Sequence, residues 1–399
     1  LGPRAKDSLA TMADVYTSNA TLLIANDVTQ QNPLVAWQIR TAIRHHNARL
    51  YVINGRHSKI HRKASYLAEV APGTERQAVR WLASGEGQLD EATRSALSAL
   101  KAALEKESDV VIIFGADING PALRELISFG SKLNGHTRFM ALGDYANSRG
   151  AADMGVLPDR LPGYAAIADS AERARFSKLW GAEIPSTPGL TARAMMDAAA
   201  SGKLKALYVV GANPVKTFDV KQPDRLAGLE LFVVQDMFLT ETALRADVVL
   251  PAASTYEKDG TLTNTSGEVQ MTRRSIDPQG PRSDFDLIRI LSHQLSMLGA
   301  GSPIRLRTPE AAFDEIRQNV RGYDLPVAGL LAGGAETSAA SCQFVEPSYE
   351  TPAGVVFSSN DFLFSSGTLG RYCSKLKSTN EAKETPWSSS PNIQSWWYR

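Results

Sequence analysis

The residues best suited to chemistry or recognition in this chain lie between Leu231 and Arg274, LFVVQDMFLTETALRADVVLPAASTYEKDGTLTNTSGEVQMTRR. Beyond Pro251 the segments Glu257-Lys-Asp-Gly-Thr and Asn264-Thr-Ser-Gly-Glu-Val-Gln are dense in small side chains that donate and accept hydrogen bonds. Gly260 and Gly267 free the backbone there to approach a ligand closely. The apolar runs ahead of these segments, Leu231-Phe-Val-Val and Val248-Val-Leu, have the pattern of strands buried on both faces, usually parallel strands covered by helices. A polar loop at the carboxyl end of such a strand is where open α/β sheets bind ligands. We therefore read a ligand-binding loop after Pro251, with Val269 to Arg274 as a short return strand.

Other chemistries find little support. Cys342 and Cys373 are too few to build an iron-sulfur or zinc site and read as two reduced thiols. His57 and His61 have the i, i+4 spacing of a helical metal pair, but no HExxH glutamate accompanies them. Arg56, Lys59, Arg62 and Lys63 surround them with positive charge, so a solvated helix face is expected and no metal site. The chain has no Gly-x-Ser-x-Gly elbow, no Walker loop and no Gly-x-Gly-x-x-Gly fingerprint. Glu257 and Asp259 are expected to serve a turn, because general acid-base work needs positioned, perturbed groups. No catalytic residue is expected.

The elements that position these loops follow from periodicity. Thr21-Leu-Leu-Ile-Ala reads as a strand, and Asn26 to Pro33 as a loop with proline in the first turn of a helix that buries Val35, Ile39 and Ala42/Ile43. Leu50-Tyr-Val-Ile completes a βαβ unit, which leads to a parallel sheet. A mostly helical stretch from Pro72 to Glu107, a strand at Ser108 to Gly115, a helix from Ala122 to Leu133 and a strand from Arg138 to Leu142 form a second unit. Residues 143–188 show no sustained period and read as an irregular functional or docking insertion. A helix from Thr191 to Gly202 and a strand from Leu204 to Val210 lead into Gly211-Ala-Asn-Pro. Asn213-Pro214 thereby echoes Asn32-Pro33. A periodic helix spans Asp284 to Leu298. We expect an α/β chain of Rossmann-like parallel sheets covered by helices, divided into a first α/β unit over 1–190, a second over 191–328 and an irregular carboxyl-terminal extension over 329–399. In that extension Trp396-Trp-Tyr is expected to bury against a surface.

Composition narrows the functions. The net charge is +1, from 43 basic and 42 acidic residues, which leaves no global field to draw in nucleic acid. No run approaches the roughly 18 apolar residues of a membrane-spanning helix, so membrane association would have to pass through partners. The first residue is Leu1, and the chain reads as a fragment.

The string QDMFLTETALRADVVLPAASTYEKDGTLTNTSGEVQ resembles the signature of the molybdopterin oxidoreductase superfamily. LYVVGANPVKTF at Leu207 to Phe218 and the run from Ala146 to Pro158 that continues to Leu161-Pro-Gly agree with it. The likeness is greatest to the non-catalytic branch, the carboxyl-terminal part of the large iron-sulfur subunit (the G subunit) of NADH:quinone oxidoreductase, respiratory complex I. Catalytic members bind a bis-pterin guanine dinucleotide and hold a metal through Cys, selenocysteine or Ser. The resemblance implies a nucleotide pocket at Gly211, Asn213 and Pro214, at Gln235 and Asp236, and along Glu257, Gly260, Thr261, Asn264, Gly267 and Gln270. Where the family commonly has Gly-Arg, this chain has Gly267-Glu268, and a carboxylate beside a diphosphate repels it. The pocket is therefore expected to be vestigial and the chain to hold no cofactor, iron-sulfur clusters belonging to a missing amino-terminal part. The implied role is a scaffold in the peripheral arm of complex I, on the cytoplasmic side of the inner membrane, in contact with other arm subunits. The alternatives are a fragment of a catalytic enzyme of the formate dehydrogenase kind and a stand-alone guanine-nucleotide binding module.

Overall fold

The computed structural model describes residues 5–143, 145–218, 226–278, 280–326, 330 and 335–336. The expectations for Cys342, Cys373 and nearly all of the 329–399 extension, its terminal aromatics included, lie outside the described residues.

The first sheet holds five parallel strands, β1 (Ala20–Ile24), β2 (Arg49–Asn54), β3 (Tyr66–Glu69), β4 (Asp109–Phe114) and β5 (His136–Ala141), in the order β3-β2-β1-β4-β5. Every residue of β1 is buried, and alternation of side chains sends Leu22 and Ile24 to one face and Leu23 to the other. Helices Glu75–Ser84, Glu91–Leu104 and Pro121–Gly130 cover the first face through Val79, Leu97, Leu100 and Leu126. Helix Pro33–His46 covers the second through Val35 and Ile39. Each fully buried Leu or Ile in this sandwich contributes roughly 1.5–3 kcal/mol.

A second sheet, β8-β9-β10, is also parallel: β8 (Ala206–Val210), β9 (Leu231–Asp236) and β10 (Val248–Pro251). The short antiparallel pair β6 (Arg160–Leu161) and β7 (Ala165–Ala166) precedes it. Its core is Met196, Ala199, Val209, Val215, Phe232 and Val234. Sequence patterning predicts strands covered on both faces, but Tyr208, Val210, Leu231 and Val248 are exposed. A continuous apolar run does not show which of its residues a helix will meet.

Three further expectations need correction. The stretch after Pro251 is a β-hairpin, β11 (Gly260–Thr263) against β12 (Glu268–Thr272), because the small polar residues of β11 still pair their backbones across the turn. Residues 143–188 contain helix Ser170–Trp180, capped by Asp169; only Phe176 of it is buried, so it carries no apolar stripe to read. Residues Lys59–Lys63 form a tight 3₁₀ turn that draws His61 inside, so a solvated helix face does not describe it. No described helix is long and apolar enough to cross a membrane.

Candidate functional site

At the end of β8 the chain turns through Gly211, whose φ of +59° favours glycine and above which a Cβ would meet open space. Asn213 and Pro214 begin a single helical turn, and Asn213 is buried. Its Oδ1 accepts from Thr242 Oγ1 at 2.6 Å and its Nδ2 donates to Glu241. Gln235, fully buried, ends β9 with Asp236. The Tyr208 hydroxyl donates to Gln235 Oε1, and Gln235 Nε2 donates to Asp284 Oδ1 at 2.6 Å. Asp284 also holds the ammonium of Lys258. Burial, and then the Asp284 carboxylate, raise the Tyr208 phenol above its ordinary pKa. Asp236 Oδ1 accepts from the Phe238 amide at 3.1 Å, a turn that holds this buried carboxylate at the strand end.

The hairpin divides the remaining sequence-predicted residues. Lys258, Gly260 and Thr261 line an open cleft of about 250 Å³ with Asp284, Phe285 and Phe313. The Lys258–Asp284–Gln235 chain joins this cleft to the end of β9. Glu257 accepts from the Ser254 amide at 2.8 Å and Asp259 from the Arg274 amide at 2.9 Å, so both serve turns. Asn264, Gly267 and Glu268 sit at the hairpin tip. Asn264 Nδ2 donates to the Glu268 carboxylate at 2.7 Å, and the Arg149 guanidinium lies against Gly267. A guanidinium from another segment thus lies beside Gly267, while Glu268 binds Asn264. Gln270 is exposed, paired in register with Leu262.

The first sheet adds residues that no motif marked. Its order places β2 on one side of β1 and β4 on the other, and ligands of open α/β sheets bind at such a switch point, beyond the carboxyl ends of the strands. There Ala25 has φ +53°, and Gly115 approaches so closely that a Cβ would lie 2.2 Å from the Ala25 carbonyl. Asn26, 8% exposed, has a buried Oδ1 without a hydrogen-bond partner; its Nδ2 only reaches Asn32 Oδ1 at 3.4 Å. Asn54 Nδ2 donates to the Asn26 carbonyl at 3.2 Å, and Asp117 is buried with its carbonyl held by Arg76 at 2.8 Å. The signal was strand order, which a single sequence does not print.

Two parallel sheets flanked by helices, with polar residues gathered at the strand ends, define an open α/β protein. The chain belongs to the molybdopterin oxidoreductase family, which matches residues 4–294. It is similar to the second G-type subunit of the NADH-quinone oxidoreductase of Rhizobium meliloti, 32% identical over 82% of this chain and 42% of that protein. It is also similar to the F420-dependent formate dehydrogenase subunit alpha of Methanocaldococcus jannaschii, 30% identical over 78% of this chain and 52% of that protein. The fold matches acetylene hydratase from Pelobacter acetylenicus with a TM-score of 0.55 at 16% identity, over 83% of this chain and 53% of that one. The chain spans about half the length of these proteins.

Family membership corrects one expectation. Domains of this family usually bind a molybdopterin cofactor, so the inference that this chain holds none is overturned. The donor set suits the organic part of such a group: the unpartnered Asn26 Oδ1, the buried Asp236 carboxylate and the open backbone at Gly211 can meet the N–H groups and close approach of a nucleotide. The Glu268 carboxylate, which counted against the pocket, is engaged with Asn264.

Proposed function

We propose that this chain is the nucleotide-holding framework of a large oxidoreductase subunit, of the G type found in NADH-quinone oxidoreductase. It serves in a peripheral arm on the cytoplasmic side of a membrane, docked on other subunits, with electron-carrying iron-sulfur clusters on portions of the subunit outside the matched region. The observation that carries this reading is the unpartnered Oδ1 of Asn26 at the switch point of the first sheet. A buried acceptor left without a donor costs free energy unless a ligand supplies one.

In this reading the division near residue 190 separates two α/β units, each offering one strand-end crevice to an arm of a pterin guanine dinucleotide. Asn26 and Asp117 would serve the first. Gly211 and Asp236 would serve the second, with Lys258 and Thr261 lining the adjoining cleft. The group, when bound, supplies the dithiolene sulfurs that hold the redox metal. This chain's own residues orient it: Asp236 accepts from a base, Gly211 admits close backbone approach, and the Gln235–Asp284–Lys258 chain fixes the floor between strand end and cleft.

The formate dehydrogenase relative supports a second reading, in which the same framework belongs to an enzyme that acts on a small substrate. Acid release and oxidation of any bound pterin, read by fluorescence, together with a guanosine diphosphate titration by calorimetry, tests the common core. We expect saturable nucleotide binding that Asp236→Asn weakens at least about tenfold, or 1.4 kcal/mol. Absence of both pterin fluorescence and nucleotide binding would overturn it.

A further inference from the structure

The carboxyl ends of β2 and β3 carry a side-chain cluster that takes no part in the nucleotide reading. His57 lies three residues past β2, His61 sits on the 3₁₀ turn Lys59–Lys63, and Glu69 ends β3 in register with Asn54. One donor atom from each of the three lies within 4.8 Å of the other two. We propose that His57, His61 and Glu69 form a binding site for a divalent transition-metal ion of the zinc type, with its remaining position open to water.

The distances favour an ion over a plain polar contact. Tetrahedral zinc with bonds of about 2.0–2.1 Å sets its donors roughly 3.4 Å apart. Glu69 Oε1 is 3.5 Å from His57 Nδ1 and 3.6 Å from His61 Nδ1. These separations are long for a hydrogen bond and close to those of two donors sharing one metal. The two imidazole rings stand nearly perpendicular, with centroids 5.0 Å apart.

His61 gives a second, independent indication. The residue is only 6% exposed, yet both of its ring nitrogens lack a hydrogen-bond partner. A buried imidazole normally satisfies at least one nitrogen, and a metal bond would relieve this one. The backbone that presents it is fixed at several points: Glu75 accepts from the Gly55 amide at 3.0 Å, the Ser58 carbonyl from the His61 amide at 3.1 Å, and the Leu50 carbonyl from the Ser65 amide at 2.7 Å.

The neighbouring cations do not defeat the site. Arg56, Lys59, Arg62 and Lys63 are all exposed, so water and salt screen them. Glu69 supplies a negative charge among the donors.

The test is titration of ZnCl₂ and CoCl₂ into the full chain, stripped with a chelator and carrying Cys342→Ser and Cys373→Ser so that thiols do not compete. We expect one equivalent of metal and the visible absorption of tetrahedral Co²⁺, without any need for pterin. His57 and Glu69 are exposed, so His57→Ala and Glu69→Gln should fold normally. Each should weaken binding at least about tenfold, since even outer partners of a metal site are worth 10–100-fold. His46→Ala, in the separate ring cluster with Tyr16 and His45, should leave binding unchanged. Failure to bind saturably, affinity indifferent to His57→Ala and Glu69→Gln, or loss on His46→Ala would each overturn the site. A nucleotide titration that fails while metal binds would sink the functional reading alone.

Discussion

The guanidinium of Arg149 fills the space beside Gly267, where a Cβ would come within 2.6 Å of its Nη1. Arg149 also donates to the Thr265 carbonyl at 3.3 Å and reaches Asp153 at 3.7 Å, so one side chain ties the hairpin tip to helix Ser148–Asp153. Gly267 itself has φ +87°, which costs an L-residue about 1–2 kcal/mol. Gly267→Ala should therefore lower stability by about 1–2 kcal/mol, mainly from backbone strain, because the guanidinium it meets is the movable end of a long side chain. Urea unfolding of Gly267→Ala, Arg149→Ala and the double variant separates the two parts. The double variant should recover the clash and keep the strain, and strictly additive losses would refute the contact.

How much of this was legible in the sequence depends on the reach of each signal. β1, β2 and β4 are short apolar runs that read directly as strands; the same pattern predicts burial on both faces for β8, β9 and β10 as well, and only the first sheet has the helices to provide it. Asn32 and Asn213 echo each other in sequence, and their backbones repeat it, with φ/ψ of −134°/66° and −124°/66° before a helix-starting proline. The local reading stops where partners come from afar. Arg149 is far in sequence from Gly267, Asp284 is 49 residues from Gln235, and the switch point joins Asn26 to Gly115. Of the hairpin, β12 was legible as the return strand from Val269, whereas β11 escaped because Gly260-Thr-Leu-Thr has little apolar alternation, and β3 because only Ala68 of its four residues is buried.

Glu107 ties β2 to the helix end before β4. Its carboxylate, 3% exposed, accepts from both Arg49 and the Tyr51 hydroxyl. Burial pushes its pKa up, but the hydrogen bonds from Arg49 and Tyr51 and the guanidinium charge together hold it below the ordinary value of 4.5. A carboxyl depressed in the fold contributes stability above its unfolded pKa and loses it as pH falls through the folded one. Glu107→Gln should cost about 1–3 kcal/mol at neutral pH, discounted because Arg49 is half in solvent. That deficit should shrink in acid below the ordinary glutamate range. Denaturant midpoints of both proteins across the acid limb check this, and a deficit constant with pH would refute the ionic account.

Tyr323 donates to Asp153 at 2.7 Å and shares a hydrogen bond with Thr263 at 2.8 Å, closing the far side of the hairpin. Burial, and then the Asp153 carboxylate, raise the pKa of Tyr323, and the same two causes raise that of Tyr164. A phenol raised in the fold contributes stability below its unfolded pKa of 10.0 and loses it as pH rises toward the folded one. Tyr323→Phe should cost roughly 1–2 kcal/mol at pH 7, by removing the hydrogen bond to Asp153, which keeps Arg149 beside it. It should also flatten the alkaline loss of stability above about pH 10, where ordinary tyrosines ionise. Unfolding followed by urea at both pH values decides it: equal alkaline slopes for the two proteins would mean that Tyr323 does not sense Asp153.

Asn26 and Asn54 lie at adjacent strand ends and separate fold from function. Asn54 Nδ2 donates to the Asn26 carbonyl at 3.2 Å inside the protein, so Asn54→Ala removes a made hydrogen bond and should cost about 1–2 kcal/mol. The Asn26 side chain makes only a 3.4 Å contact to Asn32 and leaves Oδ1 unpaired. Asn26→Ala therefore deletes an unsatisfied acceptor, and its stability should stay within about 1 kcal/mol of the parent. If that acceptor awaits a ligand N–H, guanosine diphosphate affinity should nevertheless fall about tenfold, the worth of one buried hydrogen bond near 1.4 kcal/mol. Thermal melts and calorimetry on the same two variants read both quantities. Should Asn26→Ala unfold as easily as Asn54→Ala while binding nucleotide as the parent does, the asparagine serves the turn after β1 and not a ligand.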